Sequence, residues 1–332
     1  MNSIPLHQTR TSTHLDARRI GTGLLLIIAC WLASYSSSFA ACSLSTQTLT
    51  FGSINPQSTA TIYTSGIALV SCTGLQSNAT ISACLAIGAG SAPGSTLASR
   101  KISAGSRNRI PIVIKSSPSA PQEIGTGNPY PQAGPITFLT DGSGSGSVPF
   151  PISISLSGPL NVAPGSYSNT FSGNSFGATY SNGVHSQCDS VTSSVVGGQM
   201  TVQATVVPGC TVTATPMDFG TVPTLTSARS ATSTITLICT QGVTATIALD
   251  NGQTGTSPVS RQLRRGNSVV IYGVYQDSAY TFPWGHTAGI DTVSISMGSS
   301  TSVSVTAFGL APIQGTPVAG NYTDVIHVTV TY

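Results

Sequence analysis

Seven cysteines, five histidines and nine carboxylates are the residues of this 332-residue chain that could carry covalent, metal or acid–base chemistry. Their spacing argues against most of it. A zinc site needs a Cys-x-x-Cys pair or a Cys/His cluster, and neither occurs. Nucleophilic hydrolysis needs a Ser or Cys beside a base and an orienting acid. Serines abound, but no Gly-x-Ser-x-Gly elbow sits in a strand–turn–helix context. A glycosidase needs two opposed carboxylates, and Glu123 is the one glutamate, in a Pro-rich stretch. The chain therefore reads as no enzyme, with no catalytic residue, metal or cofactor. Disulfide chemistry remains. Cys30 falls in an N-terminal leader. Cys42, Cys72, Cys84, Cys188, Cys210 and Cys239 form an even set in an exported chain, which predicts three bridges.

The leader is read from charge and hydropathy. Arg10, Arg18 and Arg19 precede the apolar run 21–33, and Ser38-Phe39-Ala40 offers a small–x–small cleavage signal. That is a signal peptide over residues 1–40. The run is short for a membrane span. The alternatives are a short anchor, or lipidation at Cys42, for which Phe39 is a poor first lipobox residue. Loss of the leader leaves a nearly neutral mature chain. Only 6% of all residues are charged, against roughly 25% in an average protein. No basic stripe exists for nucleic acid.

The chain repeats itself. Cys42 and Cys210 each stand nine residues before a Phe-Gly, Phe51-Gly52 and Phe219-Gly220. The next cysteines, Cys72 and Cys239, follow 30 and 29 residues after the first. The segments 161–173 and 315–328 also align. These matches divide the mature chain into 41–207 and 208–332. The surplus in the first copy is placed mostly between residues 85 and 150. The repeated pairs would tie first strand to second in each copy, and Cys84 with Cys188 is left by elimination. Residues 211–215, 234–240, 243–249, 268–275, 291–297, 302–308 and 322–332 alternate apolar with Ser or Thr, which predicts half-buried antiparallel strands. The expected fold is all-β: two immunoglobulin-like β-sandwiches in tandem. In the last segment Ile326, Val328, Val330 and Tyr332 share one face. Either a closing strand is missing there or the sheet is complete without one.

Several features give copy two a family resemblance. They are Cys210 with Phe219-Gly220, Leu237-Ile238-Cys239, Arg261-Gln-Leu-Arg264, Tyr272-Gly-Val-Tyr-Gln-Asp277 and Trp284-Gly285. The ending Pro317-Val-Ala-Gly-Asn-Tyr322-Thr-Asp-Val, closing at Tyr332, completes the set. On these residues it resembles the spore coat protein U domain, the pilin module of archaic (Csu-type) chaperone–usher pili. Copy one resembles the same domain at both ends. The resemblance implies that the C-terminal sandwich lacks its last strand. Ile326, Val328, Val330 and Tyr332 would then border a groove filled by strand donation. It implies a periplasmic chaperone, an outer-membrane usher and the donor strand of an adjacent pilin subunit as partners. After cleavage only Ala41 precedes Cys42, so no donor segment is expected. That describes the tip subunit, at the cell surface, with copy one as the adhesin domain. It would mediate attachment to abiotic or host surfaces and biofilm formation. A secreted spore-coat or matrix protein that does not polymerise is the alternative.

Binding is expected in loops 88–98, 116–135, 139–149 and 172–187, with Leu97, Ile124, Tyr130 and Phe176 as apolar contacts. Tyr130 and Phe176 could instead fold back as core. A sugar site built on Arg107, Asn108 and Arg109 is a further alternative. Arg261, Arg264 and Arg265 read as a solvated strand end, with a chaperone contact as the alternative, and Trp284 as core or turn packing. His185, His286 and His327 read as structural or exposed.

Overall fold

Valine, isoleucine and threonine fit a pleated, half-buried surface, so the alternating segments extend. In β12 (Arg229–Cys239) Ser233, Ile235, Leu237 and Cys239 face inward while Thr232, Thr234 and Ile238 face solvent. The computed structural model describes residues 40–191, 194–299 and 301–332. The leader signals at residues 1–39, including Cys30, lie outside the described residues. Within those described, no helix is long and apolar enough to cross a membrane.

The N-terminal sandwich contains β1 (Ala41–Ser45), β2 (Leu49–Ile54), β3 (Thr61–Thr73), β4 (Thr80–Ile87) and β5 (Arg100–Ala104). It continues with β6 (Asn108–Lys115), β7 (Ala133–Leu139), β8 (Gly146–Ser157), β9 (Gly165–Asn182) and β10 (Ser194–Val206). They join in one curled sheet, in the order β1-β3-β8-β6-β5-β9-β10-β2, with β4 paired to β7 and β9. β10 runs antiparallel to β9 and parallel to β2, so it closes the sandwich. Its Met200, Val202, Ala204 and Val206 alternate into the core.

The C-terminal sandwich has two sheets. One has the order β11 (Cys210–Ala214), β12, β17 (Ser302–Ala311), β15 (Ser268–Tyr275), β14 (Arg261–Arg265). The other has the order β16 (Val293–Ser296), β13 (Thr244–Leu249), β18 (Val328–Thr331). Its core around Leu237, Ile247, Tyr272 and Trp284 is separate from the N-terminal one. The architecture is two immunoglobulin-like sandwiches in tandem, the second incomplete. Three disulfides join Cys42 to Cys72, Cys84 to Cys188 and Cys210 to Cys239.

Two expectations change. Residues 172–182 are not loop but the second half of β9, because Phe176, Ala178 and Tyr180 alternate into the core. A large part of the first copy's surplus is residues 183–207, which carry β10 and the connection leading to it, rather than residues 85–150.

Candidate functional site

The two copies share a hydrogen-bond skeleton that their sequences barely display. Arg100 opens β5 and is fully buried. Its Nε donates to the Gly88 carbonyl at 2.7 Å, and Nη2 donates to those of Ile87 and Ile124, both at 2.6 Å. Arg261 opens β14 and does the same. Its Nε reaches Asp250 at 2.9 Å, and Nη2 reaches Leu249 at 3.3 Å and Trp284 at 2.8 Å. Arg261 is thus no solvated strand end: it is fully buried and its donors satisfy backbone carbonyls. Burial lowers both guanidinium pKa values from the ordinary arginine value, opposed in Arg100 by Glu123 at 3.0 Å and in Arg261 by Tyr272 and nearby aspartates. Trp284 and Ile124 hold matching places, and Trp284 is core. Each copy then turns a tyrosine corner. The Tyr167 hydroxyl donates to Ala163 at 2.6 Å, and the Tyr322 hydroxyl donates to Val318 at 2.7 Å. Gly165 and Gly320, just before, both have φ 147°, a conformation that glycine tolerates.

Against this common frame one difference stands out. In the N-terminal copy the strand after the tyrosine corner, β9, is covered by β10. In the C-terminal copy the corresponding strand, β18, pairs with β13 alone among the described residues. The Phe51-Gly52 segment lies in β2, paired to β10, whereas the matching Phe219-Gly220 segment has no strand partner among the described residues. Between β18 and that segment runs a groove of about 220 Å³. Met217, Phe219, Ile235, Leu249, Leu263, Ile326 and Val328 line it. Ile326, Val328 and Val330 are half-buried against the core, while Tyr332 is 54% exposed. In the N-terminal core most apolar side chains are sealed. Around the C-terminal core a half-buried fringe is about as large as the core itself.

Polar groups pin the edge of the groove. Asp250, after β13, accepts from the His327 N–H at 3.0 Å and meets its ring Nδ1 at 2.8 Å. Desolvation alone would raise the Asp250 carboxyl. The Gly252 N–H and the His327 ring and N–H outweigh it and hold the pKa below 3.8. At the groove itself the Tyr272 hydroxyl donates to Asp324 at 2.8 Å. Burial first, then Asp324, pushes the Tyr272 hydroxyl pKa up.

The expected contact residues fare unequally. Ile124 is 2% exposed and Phe176 is fully buried. Neither can touch an external surface, because Ile124 fills the place of Trp284 and Phe176 faces inward from β9. Tyr130 is half-buried in a turn hydrogen-bonded to Gly127, and Leu97 is half-buried. Arg107, Asn108 and Arg109 lie at the β5–β6 hairpin. Strand register separates the two ends of this sandwich. Ile54–Gln57, Gly165 and Val206 gather at one end, where the Gln57 Nε2 donates to the Gly209 carbonyl at 3.1 Å. The Cys42–Cys72 bridge, residues 73–80, residues 140–146 and the turn after β9 gather at the other. That distal end exposes Leu139 at 70% and Val184 at 78%. Both fall within the expected loops 139–149 and 172–187, and neither is among the expected contact side chains. Their signal is an apolar residue at a strand end next to a turn: Leu139 closes β7 two residues before Asp141-Gly142, and Val184 follows Gly183 just after β9.

A family model described as the Spore Coat Protein U domain matches residues 29–174 and 197–329. No curated protein matches the chain. Among solved structures the fold is similar to the Acinetobacter baumannii complex of the chaperone CsuC with the tip adhesion subunit CsuE of archaic chaperone–usher Csu pili. That likeness has a TM-score of 0.53 and 17% identity, over 88% of this chain and 100% of that one. The CupB6 tip adhesin of Pseudomonas aeruginosa aligns at a TM-score of 0.34 and 11% identity, over 88% of this chain and 94% of that one.

Proposed function

Because this chain belongs to the Spore Coat Protein U domain family, we propose that it is a tip subunit of an archaic chaperone–usher pilus. It attaches the fibre to surfaces through its N-terminal sandwich, residues 41–207, and so promotes biofilm formation. It joins the fibre through residues 208–332. A leader over residues 1–40 directs export, a periplasmic chaperone protects the open sandwich, and an outer-membrane usher passes it to the cell surface. The observation that carries the reading is the groove beside β18, standing where β10 closes the other copy. A strand laid there would satisfy the free backbone edge and bury alternate side chains in the apolar slot. Left open, such a slot favours aggregation. The same logic gives the adhesive role to the N-terminal copy, which accepts no strand and presents Leu139 and Val184 at its distal end.

The test appends a second copy of residues 183–207 after Tyr332. In the first copy Ser194–Val206 of this stretch pair antiparallel with β9, so the appended segment can fold back on β18 at high effective concentration. The extended mature chain is expected as a soluble monomer with a raised unfolding midpoint, and the unextended chain as aggregates unless a chaperone is supplied. Equal solubility and equal midpoints would remove the groove from the argument.

A further inference from the structure

The groove and a strand shaped for such a groove occur in one chain. In the N-terminal sandwich Val202 of β10 lies directly opposite Asn169, and both are buried. Asn169 needs nothing from that strand. Its Oδ1 accepts from the N–H groups of Ser91 and Ala92, and its Nδ2 donates to the carbonyls of Ala89 and Lys101. An apolar neighbour therefore costs it little. The tyrosine corners align the copies residue by residue, Tyr167 with Tyr322, which sets Asp324 in the place of Asn169.

Asp324 lines the groove and is not self-sufficient. Oδ1 accepts from the Gln253 and Val325 N–H groups at 2.9 and 2.8 Å, and among the described residues Oδ2 accepts from the Tyr272 hydroxyl alone. A carboxylate offers about four lone-pair sites. A strand entering in the register of β10 would press its Val202 equivalent onto this charge and strip its water, which is unfavourable without a replacement hydrogen bond.

We propose that Asp324 is the specificity residue of the groove: it selects a strand with a hydroxyl, amide or ammonium donor facing it, and rejects β10 from a second copy of this chain. The inference rests on the strand-binding reading of the groove. It supplies what a chain holding both an open sandwich and a matching strand requires, a feature that disfavours self-exchange.

The experiment uses the mature chain, residues 41–332, refolded with labelled peptides of residues 196–207 and read by fluorescence anisotropy. Peptides carry Val202, Val202→Thr, which keeps the shape and adds a hydroxyl, or Val202→Lys. The two substituted peptides are expected to bind at least ~10-fold more tightly than the unsubstituted one, and Asp324→Asn should bring that ratio close to one. Should Asp324→Asn not refold, Tyr272→Phe, which frees Oδ2 further, should widen the ratio. An equal ratio in the wild type and Asp324→Asn, or tightest binding by the unsubstituted peptide, overturns the proposal. If no peptide binds while the strand-extended chain is monomeric, only the selectivity fails. If that chain aggregates too, the groove reading falls with it.

Discussion

At the scale of single residues, Arg100 and Arg261 show how a charge can serve as a structural staple. Each converges on carbonyls from segments far apart in sequence, so that burial of the guanidinium is matched by hydrogen bonds. Arg261→Leu leaves the carbonyls of Leu249, Asp250, Pro258 and Trp284 without this donor. It should cost about 3–5 kcal/mol, read as a shift of the C-terminal unfolding transition in denaturant. A loss under about 1 kcal/mol would mean that water replaces the side chain. The sequence did show the pair, as Ser99-Arg100-Lys-Ile102 and Ser260-Arg261-Gln-Leu263. It did not show that the carbonyls converge, so an arginine on a strand read as solvated. Ile124 reads as a surface contact for the same reason: Gly and Pro neighbours look like a loop, yet the loop turns this side chain inward.

At the scale of elements, strand β10 and the groove edge carry the predictions. The Cys84–Cys188 bridge ties β4 to the turn that leads into β10, closing 104 residues. Replacing both cysteines by serine should destabilise the N-terminal sandwich by roughly 2–5 kcal/mol and leave the C-terminal transition in place. Differential scanning calorimetry of the strand-extended chain resolves the two. The Asp250–His327 contact anchors the start of β18. Asp250 has a lower carboxyl pKa folded than unfolded. The unfolded chain therefore takes up the proton first as pH falls, and the contribution present above the ordinary value of 3.8 is lost below it. Stability of the C-terminal sandwich should fall more steeply below about pH 4 in the wild type than in Asp250→Asn. Parallel acid titration curves would show that the contact does not anchor the strand.

At the scale of the molecule, one sandwich is closed by its own chain and the other is open among the described residues. The closed copy has its junction with the C-terminal copy at one end and exposed Leu139 and Val184 at the other. Leu139→Ser with Val184→Ser should reduce adhesion of piliated cells to a hydrophobic surface several-fold while the unfolding midpoint stays unchanged, since both side chains face solvent. Undiminished adhesion with intact fibres would move the contact elsewhere, Leu97 and Tyr130 being the next residues to change.

The sequence by itself determined the periodicity of two, the repeat, the cysteine framework and the family. Each rests on local spacing along the chain, and strands of alternating Val, Ile and Thr state their inward face directly. Tertiary structure alone decided that β10 closes one copy, that Phe176 and Ile124 point inward, that two arginines are buried and that β18 borders an apolar groove. These depend on which distant segments meet, and the free energy of burial and of hydrogen-bond satisfaction is set by those meetings rather than by residue type.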